Sequence, residues 1–370
     1  MSWNPFQKLF PSKKFLGIDI GTSCLKIVEI SQSADKQKLE NYGFISTGAF
    51  VKKSFRDFEE KNILFFTQDI VEGIKSIIQE SGIKTKKAIF SIPDFSTFFT
   101  NFELPPMKRE ELEKAIQYEA KQHIPLPLKE IFLDWQIIKG NVLDQVRGRD
   151  SNEKEKLKIL LVAVSNRIIR QYQEIATLAD LELVSLEAEV FSLMRALIKE
   201  DEKKVIALIE IGAKTTTCSI VDEGKLENSY SFNMSSNEFS SIIAEKFNLS
   251  FLEAEELKKK YGLLDNGVDG KNFRSILLPL VDLILLEIQK IFDNFSRKEG
   301  REVEKVVLAG GAVLLPGFKE YLQVRLKKEV VVSQPFLGFD YPLVLEERLR
   351  EIGPSYAIAV GAALRGLHGK

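Results

Sequence analysis

Hydrophobic and polar positions along the chain follow two periods, and each period predicts a different kind of element. Short apolar runs and alternation with period two predict strands at residues 15–20, 25–30, 41–50, 87–92, 131–138, 157–164, 205–211, 215–221, 225–232, 303–308 and 330–332. Apolar positions three and four residues apart predict helices at residues 67–80, 108–123, 167–178, 186–198, 237–247, 252–261, 316–326 and 354–367. This mixture of elements indicates an α/β protein.

One short motif occurs twice: an apolar strand that ends in an acidic residue, one apolar residue and a glycine. The stretch IDIGTS at residues 18–23 is echoed by IEIGAK at residues 209–214, and a second strand follows each copy. Two such halves predict a duplicated domain with a cleft between the copies. At 370 residues, the chain is also longer than one ordinary hydrophobic core requires.

The residue types in these two turns suit a phosphate group. A glycine lets backbone N–H groups approach a phosphate closely, and nearby hydroxyl groups can add donors. The hydroxyl side chains in question are those of Thr22, Ser23, Thr215, Thr216 and Thr217. An acid at the strand end can hold Mg²⁺ through its water shell, and Asp19 and Glu210 occupy that position. Either motif alone also fits an ordinary hairpin turn.

A third glycine-containing turn follows later in the chain. The stretch VVLAGGA at residues 306–312 is a strand that runs into Gly310 and Gly311, and a helix opens soon after. Glycines at such a junction permit close approach of a flat or anionic ligand group. On the predicted helix at 252–261, Glu255 and Lys258 lie three residues apart on one face. That pair either bonds ribose hydroxyls or forms a solvated ion pair.

The region at residues 91–180 differs in character from its surroundings. A charged predicted helix, two strands and a polar loop at 141–156 suggest a small α+β subdomain inserted into a larger domain. We therefore expect an N-terminal extension at 1–14, lobe I at 15–90 and 181–200, and lobe II at 201–370. Within lobe II, residues 233–300 are expected to form a helical nucleotide subdomain.

Composition excludes several classes of function. A net charge of −1 gives no global attraction to nucleic acid, and no apolar run reaches the length that spans a bilayer. Cys24 and Cys218 cannot form a disulfide framework, and residues 1–14 lack the apolar core of a signal peptide, so we expect a cytoplasmic protein. His123 and His368 have no neighbours at metal-ligand spacing.

Taken together, the three motifs resemble the two phosphate motifs and the adenosine motif of the actin-like ATPase superfamily. Within it the chain resembles the PilM family, most specifically in LPPMKREELEKAIQYEAKQHIPLP at 104–127, LDW at 133–135 and AEELK at 254–258. The resemblance implies an actin-like ATPase fold with two duplicated lobes, an inserted subdomain shared with FtsA, and ATP with Mg²⁺ between the lobes. The expected ATP-binding residues are Gly21, Thr22, Ser23, Lys26, Gly212, Ala213, Lys214, Thr215, Thr216, Glu255, Lys258, Gly310, Gly311 and Ala312, with Asp19 and Glu210 near Mg²⁺.

The resemblance also implies partners and a location. PilM proteins hold the cytoplasmic tail of the membrane protein PilN and lie near the pilus platform proteins and the secretion ATPase. We therefore expect a protein that is peripheral at the inner membrane and binds its partner in a groove between lobe I and the inserted subdomain. Glu210 stands where the family has Asp, and Ser235-Ser236 stands where it has Gly-Gly. Both departures predict slow or absent hydrolysis.

Three alternatives stay open at this point. An FtsA-like division protein would need a C-terminal amphipathic anchor, which we do not expect in residues 365–370. An actin-fold small-molecule kinase would need a catalytic acid and a polar substrate pocket in lobe I. A scaffold without nucleotide would agree with Glu210 and with Ser235-Ser236. The sequence does not determine the oligomeric state or the kind of machine that is assembled.

Overall fold

A computed structural model describes residues 13–33, 36–47, 54–59, 62–142, 156–264 and 272–368. Three sequence predictions fall wholly or partly outside these ranges. They concern the N-terminal extension at 1–14, the end of the strand predicted at 41–50, and most of the polar loop predicted at 141–156.

The described chain alternates strands and helices. The strands are β1 Lys13–Ile20, β2 Cys24–Ser33, β3 Lys36–Ser46, β4 Arg56–Glu59, β5 Asn62–Phe65, β6 Lys87–Ile92, β7 Thr97–Leu104, β8 Ile131–Lys139, β9 Leu157–Ser165, β10 Glu182–Ala188, β11 Ile206–Ile211, β12 Thr216–Asp222, β13 Lys225–Phe232, β14 Lys305–Ala309 and β15 Glu329–Val332. The α-helices are α1 Thr67–Glu80, α2 Arg109–His123, α3 Asn166–Leu178, α4 Glu189–Leu197, α5 Ser236–Phe247, α6 Phe251–Tyr261, α7 Phe273–Glu299, α8 Phe318–Leu326 and α9 Glu346–His368.

Two five-stranded sheets share one topology. Their strand orders are β10-β6-β1-β2-β3 and β13-β12-β11-β14-β15. In each sheet the central strand pairs antiparallel with the next strand in sequence and parallel with a later one. The duplication inferred from the repeated motif is therefore confirmed, with β1 and β11 as equivalent strands.

Two helices cross between the halves. Helix α4 packs Val190 and Leu193 against the face of the second sheet formed by Leu208 and Val307, whereas α9 packs on the first sheet. The helices themselves cross closely, because a Cβ atom on Gly361 would lie 1.8 Å from the carbonyl oxygen of Ser192. Only glycine fits at that crossing.

The inserted region forms a separate three-stranded antiparallel sheet in the order β7-β9-β8. One face of this sheet is covered by α2 through Leu112, Ile116 and Ala120. Helix α3 does not join this unit, because Ile168, Tyr172 and Ile175 pack in the core of lobe I. We accordingly propose that the inserted subdomain spans residues 97–165 rather than 91–180.

Several elements differ from the sequence prediction, including the unpredicted strands β4 and β5. Residues 97–104 form strand β7, which the pattern did not indicate, and residues 186–188 belong to strand β10 rather than to a helix. Helix α9 begins at Glu346 instead of at Pro354. A proline often occupies the first turn of a helix, which favoured the later start, but buried Leu349 and the Arg350–Glu346 ion pair extend the helix backwards.

Candidate nucleotide site

A cleft of about 1030 Å³ lies between the two lobes at the ends of their central strands. The turn after β1 lines one wall and the turn after β11 lines the other. The turn after β14 contributes Gly310, Gly311 and Ala312. The three motifs, separated by up to 290 positions in sequence, therefore meet in a single site.

The turns at the two walls have the same backbone geometry. The Gly21 N–H donates to the carbonyl oxygen of Cys24 at 3.0 Å, and the Gly212 N–H donates to that of Thr215 at 2.9 Å. Each turn begins two residues after the acid of its motif. Matched tight turns on opposite walls can present backbone N–H groups to the phosphates of one ligand.

The acids of the two motifs face the cleft with different partners. Asp19 is buried and accepts a hydrogen bond from the Lys26 ammonium at 3.0 Å. Glu210 lies opposite, at the equivalent position of β11, and burial together with the carboxylates of Glu189 and Asp19 raises its pKa to about 8. A bound cation would favour the ionised form of Glu210 and offset the repulsion between these carboxylates.

Gly310 adopts a backbone conformation that favours glycine. Its φ is +91°, and a Cβ atom there would lie 2.7 Å from Oε1 of Glu210 and 2.4 Å from the carbonyl oxygen of Ile211. Its N–H donates to the carbonyl oxygen of Pro354 at 2.9 Å, which ties the turn to α9. At Gly311 a Cβ atom would meet nothing within 4 Å, so this residue leaves open space on the cleft side.

Glu255 and Lys258 are an ion pair that is itself anchored. Their carboxylate and ammonium lie 2.6 Å apart, and Lys258 is 3% exposed. The ammonium also donates to Oγ of Ser236, while the hydroxyl of Ser240 donates to Glu255. Ser236 thus binds the lysine and helps to orient the pair at the cleft wall.

Sequence reasoning missed a charged group at the floor of the cleft. Arg56 on β4 forms a buried ion pair with Glu189 at the start of α4, with Nη2 and Oε1 3.1 Å apart. The backbone N–H of Asp94 donates to Glu189, and Asp94 in turn accepts from the N–H of Val190. Burial raises the pKa values of both Asp94 and Glu189.

Most predicted residues line the cleft, but Thr216 and Thr217 do not. Thr216 is buried and donates its hydroxyl to the carbonyl oxygen of Met234 at 2.6 Å, so it offers no donor to a ligand. The hydroxyl of Thr217 is likewise paired with Ser231 at 2.8 Å. Lys214 lines the cleft and forms an ion pair with Asp57, which bridges the second phosphate turn and strand β4 of lobe I.

The acidic side chains of the cleft suit a metal ion that keeps most of its water ligands, rather than one enclosed by protein ligands. Within the part of the chain that the structure describes, no group of three or more His, Cys, Asp or Glu side chains is arranged to hold a metal ion. Mg²⁺ keeps several of its waters and takes one or two carboxylates together with ligand phosphates. Asp19 and Glu210 on opposite walls are suited to that role.

No helix in the described ranges has the length and apolar character needed to cross a membrane.

Comparison with known structures identifies the fold. A chain of a PilM–PilN type IV pilus biogenesis complex superposes with a TM-score of 0.79 at 24% identity, covering 96% of this chain and 99% of that one. MreB5 of Spiroplasma citri bound to AMPPNP gives a TM-score of 0.53 at 12% identity, covering 96% of each chain. The expected actin-like ATPase fold is therefore confirmed.

Sequence comparison places the chain in a family. FtsA of Bacillus subtilis is 22% identical over 364 residues, which cover 89% of this chain and 80% of that protein. The profile described as type IV pilus assembly protein PilM matches residues 17–367. The chain belongs to the PilM family of type IV pilus assembly proteins.

Proposed function

We propose that this protein is a nucleotide-binding scaffold of a type IV pilus or related secretion machine. It holds ATP with Mg²⁺ between its lobes and captures the cytoplasmic tail of a PilN-like inner-membrane protein. The observation that carries the nucleotide part is the meeting of the three glycine turns and both acids in one interlobe cleft. A role near the platform proteins and the secretion ATPase, at the cytoplasmic face of the inner membrane, follows from the family.

The division of tasks within the cleft follows from residue chemistry. The turns at Gly21 and Gly212 would receive the phosphates, and the Lys26 ammonium would add positive charge beside Asp19. Gly310 and Gly311 would let the base or ribose approach the backbone. Mg²⁺, when bound, would neutralise phosphate charge, while Asp19 and Glu210 would hold its water shell. The Glu255–Lys258 pair is oriented for ribose hydroxyls.

We propose that hydrolysis is slow or absent and that the nucleotide acts chiefly as a clamp. Glu189 is the buried acid at the cleft floor that could orient an attacking water, but Arg56 and Asp94 already engage its carboxylate. Glu210, one methylene longer than the family's Asp, changes the geometry at the second acid. A ligand that binds only the closed arrangement stabilises that arrangement in proportion to its differential affinity.

Equilibrium binding tests the nucleotide part directly. Fluorescent ATP should bind the purified full-length chain more tightly with Mg²⁺ than with EDTA, and unlabelled ATP should compete. Replacement of Asp19 by Asn should remove the metal dependence. Binding that does not respond to Mg²⁺ in the wild-type protein would contradict the proposed site, and absence of binding would favour the nucleotide-free scaffold.

The proposed partner groove lies where the inserted subdomain borders lobe I. Phe132 on β8 pairs in register with Val164 on β9, so both side chains share one sheet face. Val164 packs in the lobe I core, whereas Phe132 is 57% exposed. Asn166 at the start of α3 donates to the carbonyl oxygen of Lys129, which joins the two units beside Phe132. An exposed aromatic at such a border is suited to a partner.

Strand β8 is also the element that can receive an extended peptide. In the three-stranded sheet, β9 is the central strand and pairs on both sides, so it has no free edge for a further chain. β8 lies at the sheet edge, and among the described residues no further strand pairs with it. Backbone pairing along β8 would provide affinity, and a pocket beside Phe132 would provide specificity. Titration with a synthetic PilN-like tail tests this groove.

A further inference from the structure

In sequence, the inserted subdomain interrupts lobe I. The face of its sheet that α2 does not cover nevertheless packs against lobe II. Leu160 and Ile138 of this face are buried in one cluster with Leu226 and Val221 of the second sheet. Phe99 packs against Phe191 of α4, with ring centroids 6.4 Å apart, and α4 itself belongs to that cluster. The subdomain therefore shares a hydrophobic core with lobe II.

A buried charge cluster reinforces this contact. The Lys158 ammonium on β9 pairs with Glu227 on β13 and, at 2.7 Å, with Glu299 at the end of α7. Burial acts to lower the pKa of Lys158, but its hydrogen bonds to the two carboxylates outweigh burial and raise it. Lys158 is 7% exposed, so removing its ammonium would leave two carboxylates facing an apolar contact.

Further hydrogen bonds run between the same two units. The Asn101 amide donates to the carbonyl oxygen of Glu227 at 2.7 Å, and the Lys225 ammonium donates to that of Ile138 at 2.8 Å. At the border with lobe I, Val164 at the end of β9 packs in the lobe I core, and the hydrogen bond from Asn166 to the carbonyl oxygen of Lys129 is exposed.

We propose that the inserted subdomain moves with lobe II as one body when the interlobe cleft opens or closes. Relative motion is then concentrated at the border between the subdomain and lobe I, beside Phe132. If the proposed function holds, nucleotide in the cleft regulates the partner groove by changing the width of that border. Lys158 joins β9 of the subdomain to both β13 and α7 of lobe II, and it is the buried charge of this contact.

Three distances in the full-length chain test the proposal. Spin labels carried by a non-natural amino acid are placed pairwise at exposed Lys75 on α1, Lys114 on α2 and Gln289 on α7. On addition of AMPPNP with Mg²⁺, the distances Lys75–Gln289 and Lys75–Lys114 should shift together, while Lys114–Gln289 stays constant within about 1 Å. A constant Lys75–Lys114 distance with a shifted Lys114–Gln289 distance would overturn the proposal.

Calorimetry on the same samples reports nucleotide binding separately, so failure of the proposed function is distinguishable from failure of this inference. A second arm needs no ligand. Lys158→Met should broaden the Lys114–Gln289 distance distribution in the ligand-free protein, whereas the matched control Lys156→Met, in an exposed pair with Glu103, should leave it unchanged. If Lys158→Met fails to fold, Glu299→Gln replaces it. An unchanged distribution in a folded variant overturns the proposal, including when nucleotide binds without moving the lobes.

Discussion

Arg56 and Glu189 lie 133 positions apart in sequence and form a buried ion pair at the floor of the interlobe cleft. Arg56 comes from a two-stranded hairpin of lobe I, and Glu189 begins the helix that crosses to lobe II. The pair therefore connects the nucleotide site to the junction of the lobes. The predictions below concern this site and the groove beside it.

Asp19→Asn should weaken Mg²⁺-supported ATP binding by about 1–3 kcal/mol, because a charged acceptor at the metal's water shell is lost. Titration with fluorescent ATP, with and without Mg²⁺, measures the change. Asp180→Asn serves as the control, because Asp180 is an exposed acid of the same lobe that pairs with Lys86. An affinity equal to wild type in a folded Asp19→Asn protein would refute the assignment of Asp19.

Gly310→Ala should reduce nucleotide affinity and lower the free energy of unfolding by about 1–3 kcal/mol, because the new Cβ atom meets Glu210 and Ile211 at a positive φ. Urea unfolding and ATP titration measure the two effects. Gly311→Ala is the matched control, since its Cβ atom has no neighbour within 4 Å. Equal unfolding free energies for the two variants would contradict this reading of the turn.

Glu210→Gln should stabilise the ligand-free protein more at pH 9 than at pH 5.5. Burial raises the pKa of Glu210 to about 8. The contribution of Glu210 to the free energy of unfolding is therefore fully present below the pKa of the unfolded state, and it is lost as the pH rises through 8. Glutamine does not titrate. The free energy of unfolding of the variant minus that of the wild type should therefore grow by on the order of 1–4 kcal/mol between pH 5.5 and pH 9. Urea unfolding in EDTA at both pH values measures it; a difference that is independent of pH would be the contrary result.

Turnover of ATP by the purified protein should stay below about 1 s⁻¹, at the low end of ordinary enzymes. Phosphate release under saturating ATP and Mg²⁺ measures it, with Glu189→Gln as the control for contaminating activity. Faster release that disappears in Glu189→Gln would show that this protein is a competent ATPase.

Phe132→Ser should reduce capture of a PilN-like tail at least tenfold, about 1.4 kcal/mol, because an exposed aromatic at the groove is lost. Titration with the labelled tail peptide measures the affinity. Tyr118→Ser on the outer face of α2 is the control, because Tyr118 is equally exposed but lies away from the lobe I border. Loss of tail binding in both variants, or in neither, would place the groove elsewhere.

Point variants are preferable to deletion of residues 91–180, because the deletion would expose the lobe II residues that pack on the subdomain.

The parts of the site that sequence predicts are those encoded by short contiguous motifs. The turns at Gly21 and Gly212 need an acid, a glycine and two strands within about 20 residues, and such a local pattern can be recognised in the sequence. Arg56 sits on a four-residue strand without any pattern of its own, and nothing local links it to Glu189. The packing of the subdomain against lobe II cannot be predicted from the sequence either. The order of the segments shows that the subdomain interrupts lobe I, but it does not indicate which surface the subdomain covers. The hydroxyl of Thr216 donates to the carbonyl oxygen of Met234, a partner 18 positions away that no local pattern indicates.

The position of helix α9 has a consequence for synthesis of the protein. This helix, residues 346–368, supplies Tyr356, Ala359 and Val360 to the hydrophobic core that covers β1, the first strand described. Strand β1 leaves the ribosome more than 300 residues before its covering helix is translated. Lobe I thus cannot complete its core until α9 emerges, and one apolar side of its sheet stays uncovered until then. At about 5–20 residues per second, that interval lasts on the order of 15–70 s, during which a chaperone has an exposed surface to protect.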